Sequence, residues 1–322
     1  DIAIEGLGID VTRIKLGNDQ KAILLYARNY DAFTLRNLTL DGNRENNPYY
    51  DIDGASLVLT HGVSAVGKRK HLIVENVAFI NSNMSHGGLY VGWSGGRQER
   101  LAIDNVFFYN CAGYALTLDS VIASQVGNII IKECDQGISL PGTTTTEEDE
   151  YRQCSINIGS ILAYDVGNLI LNVQYIRYAH ISKVLVHNIT KTVSQIGRFY
   201  GCKVTIDTLK VIQYGSENNI YLGLVLKYGA DVRIKYAEIV ANRPIVIPDD
   251  EASIKIYGGK IIAKTYAPDT SKTPYCIQAY STTDTAKKAK VLLHNVYMES
   301  DDYLLTCYGA SHITLTNVRV GN

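Results

Sequence analysis

Leu101-Ala-Ile103-Asp-Asn105-Val106-Phe-Phe108 is one of five close copies of the stretch that decides the fold of this chain. Its apolar residues alternate with period two on either side of Asn105, which predicts two β-strands joined by a bend. Asparagine suits the bend because it tolerates left-handed backbone and hydrogen-bonds its neighbours. The other copies are Phe33-Thr-Leu35-Arg-Asn37-Leu38-Thr-Leu40, Leu72-Ile-Val74-Glu-Asn76-Val77-Ala-Phe79, Val291-Leu-Leu293-His-Asn295-Val296-Tyr-Met298 and Ile313-Thr-Leu315-Thr-Asn317-Val318-Arg-Val320.

Weaker copies fill the rest of the chain, and consecutive copies lie 22 to 39 residues apart. This spacing is typical of solenoid repeats. Stacked copies would place the bend residues in a ladder along the solenoid. At the asparagine position the weaker copies carry Asn128, Ser160, Lys183, Thr208, Tyr236 and Gly258.

A third strand, which usually opens on glycine, follows each two-strand phrase. Its inward positions predict two aliphatic columns, so the interior is packed. We therefore predict an all-β, right-handed, single-stranded parallel β-helix of about ten coils with three strands per coil, forming one domain over residues 1–322. The two columns are Leu57, Leu89, Leu116, Ile138 and Leu169, and Leu59, Val91, Leu118, Leu140 and Leu171.

The composition excludes several classes of partner. The formal net charge is −1, which argues against nucleic acid or an acidic membrane surface. The sequence contains no run of about 18 apolar residues that could span a membrane. The six cysteines include no Cys-x-x-Cys pair, so we expect no zinc site and no cofactor. The chain opens at Asp1 within the repeat pattern, from which we expect a fragment of a longer protein.

Two stretches and the repeat itself carry a resemblance to a known family. They are Ile4-Glu-Gly6-Leu-Gly8-Ile-Asp-Val-Thr12-Arg-Ile14 and Leu38-Thr-Leu40-Asp41-Gly42-Asn43. Together with the asparagine repeat, which covers essentially the whole chain, they resemble the pectate-lyase-like β-helix proteins and, among these, bacteriophage tailspikes. The resemblance implies a homotrimer in the virion tail, assembled in the host cytoplasm, that depolymerises bacterial capsule or O-antigen.

The long loops gather around the third strand, where insertions in a solenoid usually build the binding face. We expect them to wall a groove along this sheet. The chain has 23 Tyr, 5 Phe and 1 Trp, and tyrosine suits wet, aromatic-lined surfaces such as sugar grooves, although it also favours exposed strands. The candidate substrate-binding residues are Tyr90, Trp93, Arg97, Asp53 and Asn172, with Asp51 beside Asp53 on the leading rim.

Asp119, Asp135 and His86 are the candidate catalytic residues. A polysaccharide hydrolase needs two carboxyl groups roughly 5 to 10 Å apart. The strand register places Asp119 and Asp135 about 20 Å apart, at opposite ends of the strand, so each needs another partner. For Asp119 that partner could come from Glu147–Glu150; for Asp135 it could come from another subunit. Each of the three could instead be a turn, cap or solvated residue.

We expect hydrolysis of a bacterial surface polysaccharide, because acidic candidates outnumber bases. A lyase needs a base and a group that steadies the substrate carboxylate, for which His86, Tyr90 and Arg97 are the candidates. A glycan-binding tailspike or adhesin without activity is the other alternative. A Ca²⁺-dependent pectate lyase is disfavoured, since the third strand shows no close cluster of aspartates.

Overall fold

The structure is a computed structural model of the whole chain, and it falls into two compact units, Asp1–Val166 and Gly167–Asn322. The prediction of one domain stays a prediction. The described residues are 1–28, 30–51, 55–61, 71–92, 100–119, 121, 123–142, 155–188, 191–213, 218–248, 251–280, 288–308 and 311–321.

The first unit contains two sheets whose strand pairs are all parallel. One is built on β1, β2, β4, β6, β8, β10 and β12, and the other on β3, β5, β7, β9 and β11. The strands are β1 (Ile2–Glu5), β2 (Arg13–Lys15), β3 (Leu25–Arg28), β4 (Ala32–Asp41), β5 (Val58–His61), β6 (His71–Ile80), β7 (Leu89–Val91), β8 (Arg100–Tyr109), β9 (Tyr114–Leu118), β10 (Ala123–Lys132), β11 (Gln136–Pro141) and β12 (Ser155–Tyr164).

The second unit repeats this plan. One sheet contains β14, β16, β18, β20, β21, β23, β24, β26 and β27. The other contains β13, β15, β17, β19, β22 and β25. Its strands are β13 (Asn168–Gln174), β14 (Tyr178–Asn188), β15 (Val193–Tyr200), β16 (Lys203–Gln213), β17 (Ile220–Lys227), β18 (Asp231–Ala241), β19 (Arg243–Ile247), β20 (Ser253–Ile256), β21 (Gly259–Ala263), β22 (Tyr275–Tyr280), β23 (Lys290–His294), β24 (Val296–Ser300), β25 (Tyr303–Tyr308), β26 (His312–Thr316) and β27 (Arg319–Val320).

Each unit is thus a right-handed parallel β-helix, as the sequence predicts, because successive parallel strands alternate between two sheets. The bend predicted within the two-strand phrase lies in the first sheet and divides its strands into two segments. Among the described residues, the only helical turn is a short 3₁₀ turn at Arg44–Asn46, and no helix is long and apolar enough to cross a bilayer.

The asparagine bend is confirmed at all five close copies. Asn37, Asn76, Asn105, Asn295 and Asn317 have φ between 51° and 54°, in the left-handed region that asparagine tolerates. Their side chains form short ladders, in which Asn76 Nδ2 donates to Asn37 Oδ1 at 3.1 Å. At the weaker copies the bend residue does not adopt a positive φ.

A second asparagine corner, which the sequence reasoning missed, follows the first by five residues. Asn81 and Asn110 have φ of 52° and 51°, and Asn110 Nδ2 donates to Asn81 Oδ1 at 2.9 Å. Asn81 Nδ2 in turn donates to Asp41 Oδ1 at 3.2 Å. The repeated five-residue spacing from Asn76 to Asn81 and from Asn105 to Asn110 was the available signal.

The aliphatic columns are confirmed as the interior. Within the first unit every member of both columns is at most 2% exposed, and in the second unit Leu169 and Leu171 are 5% and 3% exposed. Strand pairing puts Leu116 in register with Leu89 and with Ile138. That register fixes which residues of each third strand point outward.

Replacing Asn105 with Ala is expected to lower the free energy of unfolding by about 1–2 kcal/mol, because alanine is strained in left-handed backbone. It also removes the bond that Asn128 Nδ2 donates to Asn105 Oδ1 at 3.2 Å. Asn105→Gly is the matched control, since glycine adopts positive φ without strain. Urea denaturation should show the larger loss for alanine; equal losses would contradict the role given to the backbone.

Candidate functional site

The strand register separates the two predicted catalytic aspartates. Asp119 lies three residues after Leu116, and Asp135 lies three residues before Ile138, with which Leu116 pairs. At about 3.3 Å per residue the two positions are about 20 Å apart along the strand direction. Asp119 and Asp135 therefore belong to different ends of the second sheet, which we call the trailing and the leading end.

His86 lies at the leading end in the same row as Asp135. Its backbone forms a bridge with Gly113, the residue that occupies this row on the coil between them. Gly113 has φ of 67°, and a Cβ there would come within 1.7 Å of Ser85 O, so only glycine allows this approach.

The His86 cluster, defined as His86, Tyr90, Thr117 and Asp119, connects the two ends. The rings of His86 and Tyr90 are 4.6 Å apart, and His86 Nδ1 lies 3.4 Å from Thr117 Oγ1. The Tyr90 hydroxyl donates to Asp119 Oδ2 at 3.3 Å. The long tyrosine side chain thus reaches the neighbouring coil, where a carboxylate accepts a hydrogen bond from its hydroxyl group.

The outer face beneath this cluster is closed. The outward-facing residues Tyr90, Thr117 and Ser139 are only 6%, 1% and 4% exposed, whereas His86 and Asp119 are partly exposed. The outward side chains expected to floor a groove are therefore covered at these three positions, and the loops expected to wall it, at 62–70 and 94–99, lie outside the described residues. A ligand on this face could contact His86 and Asp119 more readily than the Tyr90 ring.

A second group of polar residues, the Tyr49 cluster, lies at the leading end and comprises Arg44, Tyr49, Asp51 and Asp135. Arg44 Nη2 forms an ion pair with Asp135 Oδ2 at 3.5 Å, and the two side chains are 28% and 41% exposed. Arg44 Nη1 also donates to Asn110 Oδ1 at 3.0 Å. These bonds hold the Asp135 carboxylate in place at an open surface.

Tyr49 brings the second carboxylate of this cluster into the site. The pKa of the Tyr49 phenol is raised by partial burial, and then by the charges of Asp51 and Asp135. The Tyr49 side chain itself is 50% exposed. Sequence reasoning placed Asp51 on the leading rim but did not pair it with Asp135.

The peptide backbone ties the Tyr49 cluster to the connection between β6 and β7, which contains His86. Tyr50 N–H donates to Asn83 O at 2.9 Å, and Ser85 N–H donates to Tyr50 O at 3.2 Å. The segment that carries Tyr49 and Asp51 thus runs beside the residues immediately before His86. His86, Asp51 and Asp135 are consequently gathered at one end of the sheet.

The remaining predicted binding residues fall elsewhere. Asp53, Trp93 and Arg97 lie outside the described residues. Asn172 belongs to the second unit, where it is 5% exposed and its Oδ1 accepts from Gln174 Nε2 at 2.8 Å. Asn172 is in register with Arg198 on the next coil.

No described group of three or more His, Cys, Asp or Glu side chains could hold a metal ion. An open depression of about 420 Å³ lies on the first sheet of the first unit, away from both clusters. Its lining includes Ala102, His71, Arg100, Gln125 and Asn157. This depression contains none of the predicted site residues.

A charged triad on the first sheet of the second unit has a structural role. Asp207 Oδ2 lies 3.2 Å from His180 Nε2, and Asp207 Oδ1 lies 2.8 Å from Lys235 Nζ. Lys235 and then His180 lower the pKa of the Asp207 carboxyl from its usual 3.8. Because the pKa is lower in the folded state, the ion pairs stabilise the protein above the usual value, and this contribution is lost as pH falls through the folded pKa.

The Asp207→Asn protein is therefore expected to lose less stability than the wild type when the pH falls from 5 to 3. The change is at most about 1 kcal/mol, because partly solvated ion pairs are screened. Thermal unfolding at the two pH values measures it, with the exposed Asp302→Asn as the matched control. An unchanged acid dependence in Asp207→Asn would contradict the role of the triad.

Comparison with known proteins adds no relative: no protein-family model, no curated protein and no solved structure matches this chain.

Proposed function

We propose that this protein is a tailspike-type depolymerase that hydrolyses bacterial surface polysaccharide at the leading end of the second sheet of its first unit. The observation that carries the proposal is that the segment of Asp51 lies at the same end of the sheet as Asp135. Tyr50 is bonded to Asn83 and Ser85, just before His86, and Arg44 holds Asp135 at 3.5 Å. Hydrolysis of a glycosidic bond requires two carboxyl groups that flank the bond. The open surface around Tyr49 suits a polymer, which must approach from the side.

The two carboxyl groups have different surroundings, which suggests a role for each. Asp135 is held by the guanidinium of Arg44, and a fixed carboxylate suits the group that attacks the sugar or activates water. Asp51 is then the proton donor to the leaving oxygen. Tyr49 offers an aromatic face on which a sugar ring can stack, and His86 lies beside this site.

Elimination is the second candidate reaction, and the His86 cluster favours it. His86 can take a proton from a sugar carbon, and the Tyr90 hydroxyl is a proton donor already bonded to Asp119. This reaction requires a uronic acid in the substrate. The partner that the sequence suggests for Asp119, Glu147–Glu150, lies outside the described residues.

The experiment incubates the protein with capsular polysaccharides from a panel of bacteria and follows reducing ends and ultraviolet absorbance together. New reducing ends without absorbance are expected from hydrolysis. Absorbance from a new C=C bond would instead indicate elimination, which we assign to the His86 cluster. Binding without either signal would mean a glycan-binding tailspike or adhesin.

Assembly as a homotrimer in a virion tail is part of the same proposal and is supported by the resemblance of the repeat to phage tailspikes. Sedimentation equilibrium of the protein tests it. A mass of three chains is the expected result, and a monomer at all concentrations would contradict it.

A further inference from the structure

The second unit carries a row of four tyrosine rings with one arginine guanidinium between the second and third rings, which we call the tyrosine–arginine stack. It runs in the order Tyr266, Tyr221, Arg243, Tyr275, Tyr303. The ring centres of Tyr266 and Tyr221 are 5.4 Å apart, and those of Tyr275 and Tyr303 are 5.5 Å apart. Arg243 Cζ lies 5.4 Å from the centre of each neighbouring ring.

The strand register of the second sheet builds this row. Arg243 is in register with Leu222, the residue after Tyr221, and Tyr275 is in register with Tyr303. Tyr266 comes from a loop that is fixed by a parallel bridge to Asn218. The side chains of neighbouring coils therefore stack along the unit, since strands are spaced at about 4.8 Å.

The row is accessible to a ligand. Tyr303 is 53% exposed, and the other four side chains are partly exposed. Tyr275 and Tyr303 are nearly parallel, with 19° between their ring planes. Because neighbouring groups of the row cover the ring faces between them, the rings present their edges and hydroxyl groups to a ligand, and these can contact sugar rings and their hydroxyl groups.

Arg243 is held rigidly at the centre of the row. Its Nη1 donates to Gln278 Oε1 at 3.2 Å, and its Nε donates to Thr273 O at 3.4 Å. A guanidinium has five N–H donors, and the described residues use two of them here. Two flanking rings and two hydrogen bonds thus fix a cation that still has donors for a planar anion such as a carboxylate.

Asp269, an acidic residue beside the Tyr266 end of the row, is itself paired. The pKa of the Tyr266 phenol is raised by burial and then by the charge of Asp269, which is the acidic group acting on this end. Asp269 is itself paired with Lys272 at 3.5 Å and accepts from Ser271 Oγ at 2.6 Å. Arg243 therefore remains the cation that lies within the row.

We propose that the tyrosine–arginine stack binds an oligosaccharide that carries a carboxylate, with sugar rings on the tyrosines and the carboxylate on Arg243. It is a binding site in the second unit and includes none of the residues assigned to cleavage. The proposal rests on the proposed function in one respect, that the ligand is a glycan. It adds the class of glycan, which is acidic.

Isothermal calorimetry with the full chain tests this binding. The probes are tetrasaccharides of galacturonate and of alginate, and the same tetrasaccharides after chemical reduction of their carboxyl groups. The acidic forms are expected to bind at least about tenfold more tightly, since a charge-assisted hydrogen bond is worth about 1.5–3 kcal/mol. Failure of every acidic probe to bind, or equal binding of the reduced forms, would overturn the proposal.

Two variants locate the site. Arg243→Gln should abolish the preference for the acidic form, and Tyr303→Ala, at an exposed position, should weaken binding of both forms with little effect on folding. Tyr257→Ala is the matched control, because Tyr257 is 45% exposed in the same unit and lies outside the stack. Wild-type affinity in Tyr303→Ala or in a folded Arg243→Gln protein would overturn the assignment.

Cleavage is recorded in the same preparations, so that the two proposals can fail separately. Binding that depends on Arg243, without cleavage of any polysaccharide, would support the stack and count against hydrolysis. Cleavage of a polysaccharide, together with an affinity for acidic probes that is unchanged in Arg243→Gln, would overturn the stack alone.

Discussion

Replacement of Asp135 by Asn is expected to lower the rate of polysaccharide hydrolysis by about 10²-fold or more, which is the usual contribution of a positioned acid or base. Asparagine keeps the shape of the side chain and an oxygen that can accept from Arg44, so the fold should be retained. It cannot act as a nucleophile or base. The measurement is the initial rate of formation of reducing ends at saturating polysaccharide.

Three further variants make this result specific. Asp51→Asn should cause a loss of the same order, because both carboxyl groups take part in the reaction. Asp10→Asn, an exposed aspartate of the same unit, should leave the rate unchanged. Asp119→Asn decides between the two ends of the sheet: a large loss there, with Asp135→Asn active, would move the reaction to the His86 cluster.

Phe108→Ala is expected to lower the free energy of unfolding of the first unit by about 3–5 kcal/mol, the usual cost of truncating a buried phenylalanine. Phe108 is fully buried and stacks on Phe79, with ring centres 4.9 Å apart and an interplanar angle of 13°. It also fills the space against Gly88, where a Cβ would come within 2.5 Å of its ring. Because each coil of a solenoid contacts only its neighbouring coils, more distant coils cannot shift to fill the cavity left by the ring.

The adjacent residue supplies the matched control. Phe107 points to the opposite face of the strand, where it is partly exposed and lies 6.2 Å from the ring of Tyr109. Phe107→Ala should cost about 1 kcal/mol, as expected for a side chain that is only partly buried. Urea denaturation of both variants gives the comparison, and equal losses would contradict the inward and outward assignment of the strand.

The fold could be predicted because its signals are local and repeated. Period-two alternation around Asn76 and Asn105 specifies strand, bend and strand within eight residues. The column through Leu89 and Leu116 then fixes the third strand. The second corner at Asn110 escaped prediction because only its spacing from Asn105 identifies it, and a single asparagine after a strand is common in turns.

The site could be predicted only in part. The register correctly assigned Asp119 and Asp135 to opposite ends of the strand. It also places Tyr90 and Asp119 on adjacent coils, about 8 Å apart. The hydrogen bond from the Tyr90 hydroxyl to Asp119 was not predicted, since strand spacing places backbones and not the tips of long side chains. Nor could the register foresee Arg44, which reaches Asn110 and Asp135 from the short 3₁₀ turn between β4 and β5.

The size of a bacterial surface polysaccharide before and after incubation tests the central claim most directly. Size-exclusion chromatography with wild-type protein is predicted to show conversion of at least one capsule or O-antigen of the panel to oligosaccharides with new reducing ends and no new ultraviolet absorbance. The Asp51→Asn/Asp135→Asn protein should leave the same polymer intact. Polymers that keep their full length with the wild-type protein throughout the panel would contradict the account.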